Sequence, residues 1–264
     1  MGRPSRLGAV MASFRCAALY FVADPFWIVG ALVAPTAFAL VTYQILVIAG
    51  KPDGALVIVG ALVMSMWAQA LYGSGWATYQ DRTLATLEPI LGSPVGYVWV
   101  VSGRVLWNVV SGVLGAVIVY AILAFTQGVG LSSTQFEALV AIFPILVVSL
   151  AATGLLISAG FVFTRYATFY QNMGEVALYV VTGTMFSVAL LPVWLLPFSL
   201  IFPPTWAVDA LRYAVVAGYV GLSWGFVGDI FGAAVLTAVY LSAASWLFTK
   251  VEVHVVSRGD ITAA

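Results

Sequence analysis

The chain has 264 residues, of which 63% are hydrophobic and 14% aromatic, and only 8% are charged, with ten acids balancing ten bases. A soluble domain carries about 25% charged residues, so these charges are too few to cover a water-exposed surface, and composition argues against a soluble enzyme, a disordered chain or a nucleic-acid binder, for which there is also no basic field. The single cysteine, Cys16, argues against a disulfide framework and a Cys-rich metal site, and a mean hydropathy of +1.08 leaves an all-α integral membrane protein.

The N-terminal segment 1–24 carries Arg3, Arg6 and Arg15 without a signal-type cleavage pattern. Residues 7–22 read either as an amphipathic helix lying at the membrane surface or as a short disordered tail. Beyond it, six windows of 20 or more residues contain no Asp, Glu, Lys or Arg: 25–50, 54–80, 105–136, 138–164, 176–208 and 230–249. A helix needs about 20 apolar residues to cross a hydrocarbon core about 30 Å thick. Each window is therefore long enough to cross once and too short to cross twice. A soluble helix would show a polar face, and a barrel strand would alternate with period two; stretches such as 109–124 are apolar on every side.

Six transmembrane helices are expected, at about 26–49, 55–79, 97–126, 136–163, 175–191 and 226–248. The connections are a tight turn at 51–54, a polar segment at 81–94, a Gly/Ser loop at 127–134, a short link at 164–174 and a long proline-rich stretch at 192–219. Six crossings place both termini on one side. That side holds Arg3, Arg6, Arg15, Arg82, Arg104, Arg165, Lys250 and Arg258, against Lys51 and Arg212 on the other. Basic residues accumulate on the cytoplasmic side, so both termini are expected in the cytoplasm of a cell-membrane protein. Asp229, close to the outer end of the last helix, is expected to snorkel outward, with a place inside a dimer as the alternative. His254 is expected in a solvated tail.

Two segments carry more information than the rest. In 79–95, Leu84, Leu87 and Leu91 recur at helical spacing and give one apolar face. Asp81 and Thr83 are each able to cap a helix start. Pro89 fits only in a first helical turn, and Gly92-Ser93-Pro94 ends the helix. In 190–212, Pro192, Pro197, Pro203 and Pro204 forbid a straight spanning helix, and irregular backbone at membrane depth survives only when buried in protein or lining a wet cavity. A helix restarts near Thr205, on which Asp209 and Arg212, three apart, are placed to pair.

The stretch Asp81-Arg82, followed by Thr86-Leu87-Glu88-Pro89-Ile90-Leu91-Gly92-Ser93-Pro94-Val95, resembles the loop between the second and third helices of type-2 ABC exporter permeases. The segment around Pro192, Pro197, Pro204, Asp209 and Arg212 is similar to the external re-entrant helices that follow that family's fifth helix. The resemblance implies that 1–264 is a single ABC-2 type transmembrane domain and that the 81–94 loop is a coupling helix docking into an ATP-binding subunit. Arg82, Thr86, Leu87, Glu88, Leu91, Ser93 and Pro94 would make that contact. It further implies two cytoplasmic ATPase subunits carrying ATP and Mg, and a second permease copy or paralogue alongside this chain.

No G-x-x-x-x-G-K-[ST] loop occurs, so ATP hydrolysis is expected on another chain. H-E-x-x-H, G-x-S-x-G and Cys/His clusters are also missing, and no cofactor is expected on this chain. The polar residues Gln44, Gln69 and Asn108 inside spans either bridge helices or line a translocation path. Trp67, Tyr72, Trp76, Trp107 and Tyr120 favour an apolar or amphiphilic cargo, such as a drug or lipid. A polysaccharide or lipid-linked glycan exporter is the alternative; an ATPase-independent carrier and a lipid-modifying enzyme are more remote. Gly221/Gly225 and Gly228/Gly232 have the spacing that permits close helix approach.

Overall fold

The computed structural model describes residues 5–23, 25–50, 53–84, 86, 89–90, 92–162, 164 and 166–258. Among these, nine α-helices and one 3₁₀ turn occur, and no strand. They are α1 (Arg6–Ala23), α2 (Pro25–Ile48), α3 (Gly54–Thr83), α4 (Tyr97–Gln127), α5 (Ser133–Phe161), α6 (Ala167–Val181), the 3₁₀ turn (Val188–Leu190), α7 (Leu196–Ile201), α8 (Pro203–Val215) and α9 (Gly225–Arg258). Helix starts are capped where the sequence supplies an acceptor. Asp53 Oδ1 accepts the Leu56 N–H at 3.0 Å. Ser132 and Gln135 form a reciprocal capping box ahead of α5, an arrangement in which the cap alone contributes about 1 kcal/mol.

Helix α3 is the central post, packing against α2, α4, α5, α6 and α8. Its closest partner is α4: a Cβ on Gly112 would meet the Met66 backbone, and Ser65 Oγ donates to the Gly112 carbonyl at 3.0 Å. The main core gathers Trp67, Leu146, Leu150 and Leu211, all fully buried, and it reaches Tyr97 and Phe248, whose rings lie 5.7 Å apart. A smaller core of Ala39, Val57, Ile58, Val119 and Leu123 fills the end where α2 meets α3 and α4.

Five of the described helical stretches are long and apolar enough to cross a membrane: Arg6–Ala23, Gly54–Leu71, Tyr97–Gln127, Ser133–Phe161 and Gly225–Lys250, with a shorter apolar stretch at Leu32–Ile48. The N-terminal segment, expected as either a surface helix or a disordered tail, is helical as α1 and packs on α4. The expected fifth helix, 175–191, is displaced: α6 runs Ala167–Val181. Glu175 lies inside it with its carboxylate bonded to the Tyr179 hydroxyl, and Gly183, at φ +70°, turns the chain out of the helix. Charge-free windows mislocated this helix because a paired carboxylate is tolerated within it. For the same reason α3 runs past Asp81 to Thr83. Helix α9 continues to Arg258, so His254 lies on a helix.

Candidate functional site

Two polar joints occupy opposite ends of the bundle. The first is built where α3 delivers its last turn to the 84–96 loop. Asp81, 4% exposed, is held by both Nη atoms of Arg104 from the second turn of α4; the Nη1–Oδ2 contact is an ion pair and Nη2–Oδ1 is 3.0 Å. Planar guanidinium against carboxylate is the geometry that gives such a bond direction as well as strength. The Tyr97 hydroxyl lies 3.5 Å from Oδ2, and Thr86 Oγ1 donates to Oδ1 at 3.2 Å. The Thr86 N–H also donates to the Asp81 carbonyl at 2.9 Å. One buried carboxylate therefore ties the end of α3, the start of the loop and the base of α4 together.

Beyond Thr86 the chain makes a helical turn: the Ile90 N–H reaches the Thr86 carbonyl at 3.2 Å, and the Ser93 N–H reaches Ile90 at 3.1 Å. Pro89 lies within this turn. Ser93 and Pro94 line an open cleft of about 440 Å³ with Arg6, Trp99 and Thr249. Leu84 is exposed. Leu87, Glu88 and Leu91 lie outside the described residues, as does the side chain of Arg82. Asp81 does not cap a loop helix, as its sequence position suggested; it is a bonding centre inside α3, because Arg104 and Tyr97 converge on it. Arg104 was not among the site residues expected from sequence. Its signal was a lone base eight residues inside an otherwise apolar helix.

Helix α1 reinforces this end. The Arg6 guanidinium lies 5.5 Å from the Trp99 ring centre, Ser13 Oγ donates to the Val100 carbonyl at 2.6 Å, and Phe14 and Phe21 pack edge-on against Trp107. A Cβ on Gly103 would collide with the Val10 carbonyl, so glycine is what lets α1 approach. Arg6, Val10 and Phe14 of α1 thus meet Trp99, Gly103 and Trp107 of α4 in turn. Trp107 packs against Phe14 and Phe21 of α1, and Trp67 is fully buried core.

At the other end, α6, the 3₁₀ turn, α7 and α8 form a compact cap. Pro192 precedes a turn in which the Leu195 N–H donates to its carbonyl at 2.8 Å. Pro197 and Pro203-Pro204 stand in the first turns of α7 and α8, where a missing N–H costs nothing. Helix α8 is buried along most of its length, Asp209 and Arg212 included. These two do not form the expected ion pair. Arg212 donates to the carbonyls of Phe186 at 2.7 Å and Thr184 at 2.9 Å. Asp209 accepts the Tyr219 hydroxyl at 2.5 Å and the Leu222 N–H at 2.8 Å. The chain breaks on either side of α8 expose backbone groups that no helix satisfies, and each buried charge is drawn to one of them. Burial, with the Asp209 carboxylate beside it, raises the Tyr219 phenol above its ordinary range.

Asp229 does not snorkel outward; it is fully buried at the α8–α9 contact. The glycine pairs act on side chains: Gly232 receives the Trp206 indole, and Gly221 faces Asp209. The three polar residues expected within spans are not gathered. Gln44 bonds Gln127 at 2.9 Å near the α2–α3 turn, whereas Gln69 accepts from Ser111 at 3.4 Å, beside Asn108, whose carbonyl accepts the same hydroxyl at 2.8 Å.

The family model described as "ABC-2 type transporter" matches residues 9–216. That range holds Asp81, Arg104, Asp209 and Arg212 and stops one residue beyond α8. Comparison with curated proteins returns no match.

Proposed function

Because this chain belongs to the ABC-2 type transporter family, whose membrane domains are transport subunits, we propose that it is the permease of an ATP-driven exporter, with the 81–94 loop as the handle moved by a separate ATP-binding subunit. The observation that carries the reading is the joint at Asp81. A loop fastened through Thr86 to both α3 and α4 transmits a push to two long helices together, whereas a free loop would absorb it. Arg82, Thr86, Leu87, Glu88, Leu91, Ser93 and Pro94 form the contact face, with Leu87 and Leu91 as its apolar plug.

In this reading 1–264 is one transmembrane domain with six crossings and both termini in the cytoplasm. Residues 1–24 stay on that side, with α1 in the membrane interface; its exposed Leu7, Met11, Leu19 and Val22 suit a helix lying in that plane. Helix α6 spans about 22 Å, and the segment 182–187 completes the crossing, buried at Thr182, Gly183 and Thr184, with the Thr184 and Phe186 carbonyls satisfied by Arg212. Two ATP-binding subunits carry ATP and Mg, and a second permease copy or paralogue completes the assembly. The apolar, nearly charge-free spans favour a hydrophobic or amphiphilic cargo, a drug or lipid, taken from the cytoplasm or inner leaflet; a glycan exporter is the second reading. Gln69 and Asn108 would border the path.

The test replaces Leu87 and Leu91 with Asp in the complex co-purified with its ATPase. Cargo-stimulated ATPase activity is expected to fall at least tenfold while the permease still inserts. Unchanged stimulation would remove the loop from the mechanism, and the lack of any co-purifying P-loop ATPase would remove the mechanism itself.

A further inference from the structure

The cleft beside the 93–96 turn has no part in either joint. It is an open space of about 440 Å³ bounded by the start of α1, that turn, the first turn of α4 and the end of α9, with Arg6, Ser93, Gly96, Trp99 and Thr249 in its wall. A volume of this size suits a small ligand or a headgroup. The apolar stretch of α4 begins at Tyr97 and that of α9 ends at Lys250, each beside a residue of the cleft wall. The cleft therefore sits where hydrocarbon gives way to headgroups. Two exposed indoles mark the same level, Trp99 and Trp246, as expected at a membrane–water boundary. Each carries a cation over its ring: the Arg6 guanidinium is 5.5 Å from the Trp99 ring centre, and the ammonium of Lys250, next along from Thr249, is 5.4 Å from that of Trp246.

The charges here are one-sided. Among the described residues no acid lines the cleft, and the ion pair they contain is Arg104 with Asp81, not one made by Arg6 or Lys250. The start of α4 adds the positive end of its dipole, and its N-cap, Gly96, brings no capping side chain. Beside Arg6 on α1, Leu7 and Met11 stand exposed and offer apolar surface. We propose that this cleft binds the phosphodiester of an anionic phospholipid, with Arg6 and the Ser93 hydroxyl as donors to the phosphate oxygens and the acyl chains lying against α1. A soluble anion would use the same charges but leave that apolar surface bare. The site requires the membrane spans; it requires neither an ATPase partner nor a choice of leaflet.

The experiment uses the full chain purified in detergent without an ATPase, so a failure of the coupling mechanism leaves its readout untouched. Native mass spectrometry counts bound lipid across a titration. The wild type is expected to hold dioleoyl phosphatidylglycerol more tightly than dioleoyl phosphatidylcholine, whose choline cation is repelled by Arg6 and Lys250. Arg6→Gln removes one charge-assisted contact and should weaken phosphatidylglycerol binding at least about tenfold. Thr249→Phe keeps every charge but fills the cleft, and should weaken it comparably. Arg15→Gln removes an arginine of α1 that does not line the cleft and should leave binding unchanged. All three side chains are exposed, so the variants are expected to fold. Equal affinity for the two lipids, or an Arg15→Gln loss as large as that of Arg6→Gln, would reduce the site to general surface charge and overturn the proposal. Unchanged binding in Thr249→Phe would remove the lipid from the cleft. Inorganic phosphate displacing phosphatidylglycerol at equal concentration would assign the cleft to a free anion and overturn the lipid as its occupant.

Discussion

Replacing Arg104 with Ala removes the partner that holds Asp81. The carboxylate side chain is only 6% exposed, and it would keep two neutral donors, Thr86 at 3.2 Å and Tyr97 at 3.5 Å. Breaking a buried ion pair from one side costs about 3–5 kcal/mol. The Arg104 side chain is 20% exposed, which places this loss toward the lower end, about 3 kcal/mol. At about 2–4 °C per kcal/mol for a chain of this size, Tm should drop by about 6–12 °C, measured by tryptophan fluorescence of the detergent-purified protein. The double variant Asp81→Leu with Arg104→Met removes both charges and keeps comparable volume, so most of the lost stability should return. Its loop would still lack the Asp81–Thr86 side-chain bond, so cargo-stimulated ATPase activity should stay low although the fold has recovered. An Arg104→Ala protein within about 2 °C of wild type would refute the claim that this pair holds the structure. A double variant with full coupling would refute the claim that it holds the loop.

Three further outcomes follow from single contacts. Gly103→Leu places a side chain against the Val10 carbonyl and should detach α1, seen as faster proteolysis within residues 1–24 with α4 still inserted. Gly183→Val forces a β-branched residue into φ +70° and against Val188; the backbone strain alone is about 1–3 kcal/mol, so Tm should fall by at least several degrees, and a neutral result would show that the α6 terminus relaxes freely. Arg212→Lys keeps the charge but cannot reproduce the planar fork that reaches Thr184 and Phe186; hydrogen exchange at residues 184–188 should rise well above that of α8, and unchanged exchange would mean the two carbonyl bonds are dispensable.

Much of this architecture could be read from the amino-acid order. The membrane class, the long helices α2, α4 and α5 to within a few residues, and the two segments that depart from plain spanning helices all follow from apolar length and from Gly and Pro. Apolar length governs membrane residence directly, since an unpaired backbone group in hydrocarbon costs several kcal/mol and a helix of about 20 residues satisfies its own. What composition could not supply was the pairing of charges. Helix limits set at the first charged residue misplaced the ends of α3 and α6, because Asp81 and Glu175 lie inside helices, and the end of α9, which runs past Lys250 to Arg258. Sequence spacing coupled Asp209 to Arg212, three residues along one helix, although the partners of Asp209 are 10 and 13 residues distant in the chain and those of Arg212 are 26 and 28. Asp81 likewise finds Arg104 across 23 residues. A buried charge settles wherever the fold leaves a complementary group unsatisfied, and those groups exist only after the helices have packed. The sequence alone therefore determined that the protein lives in a bilayer as a helical bundle with one amphipathic loop segment and one proline-broken segment; tertiary structure alone decided which residues hold them, because desolvation makes each buried charge's choice of partner a property of the assembled fold.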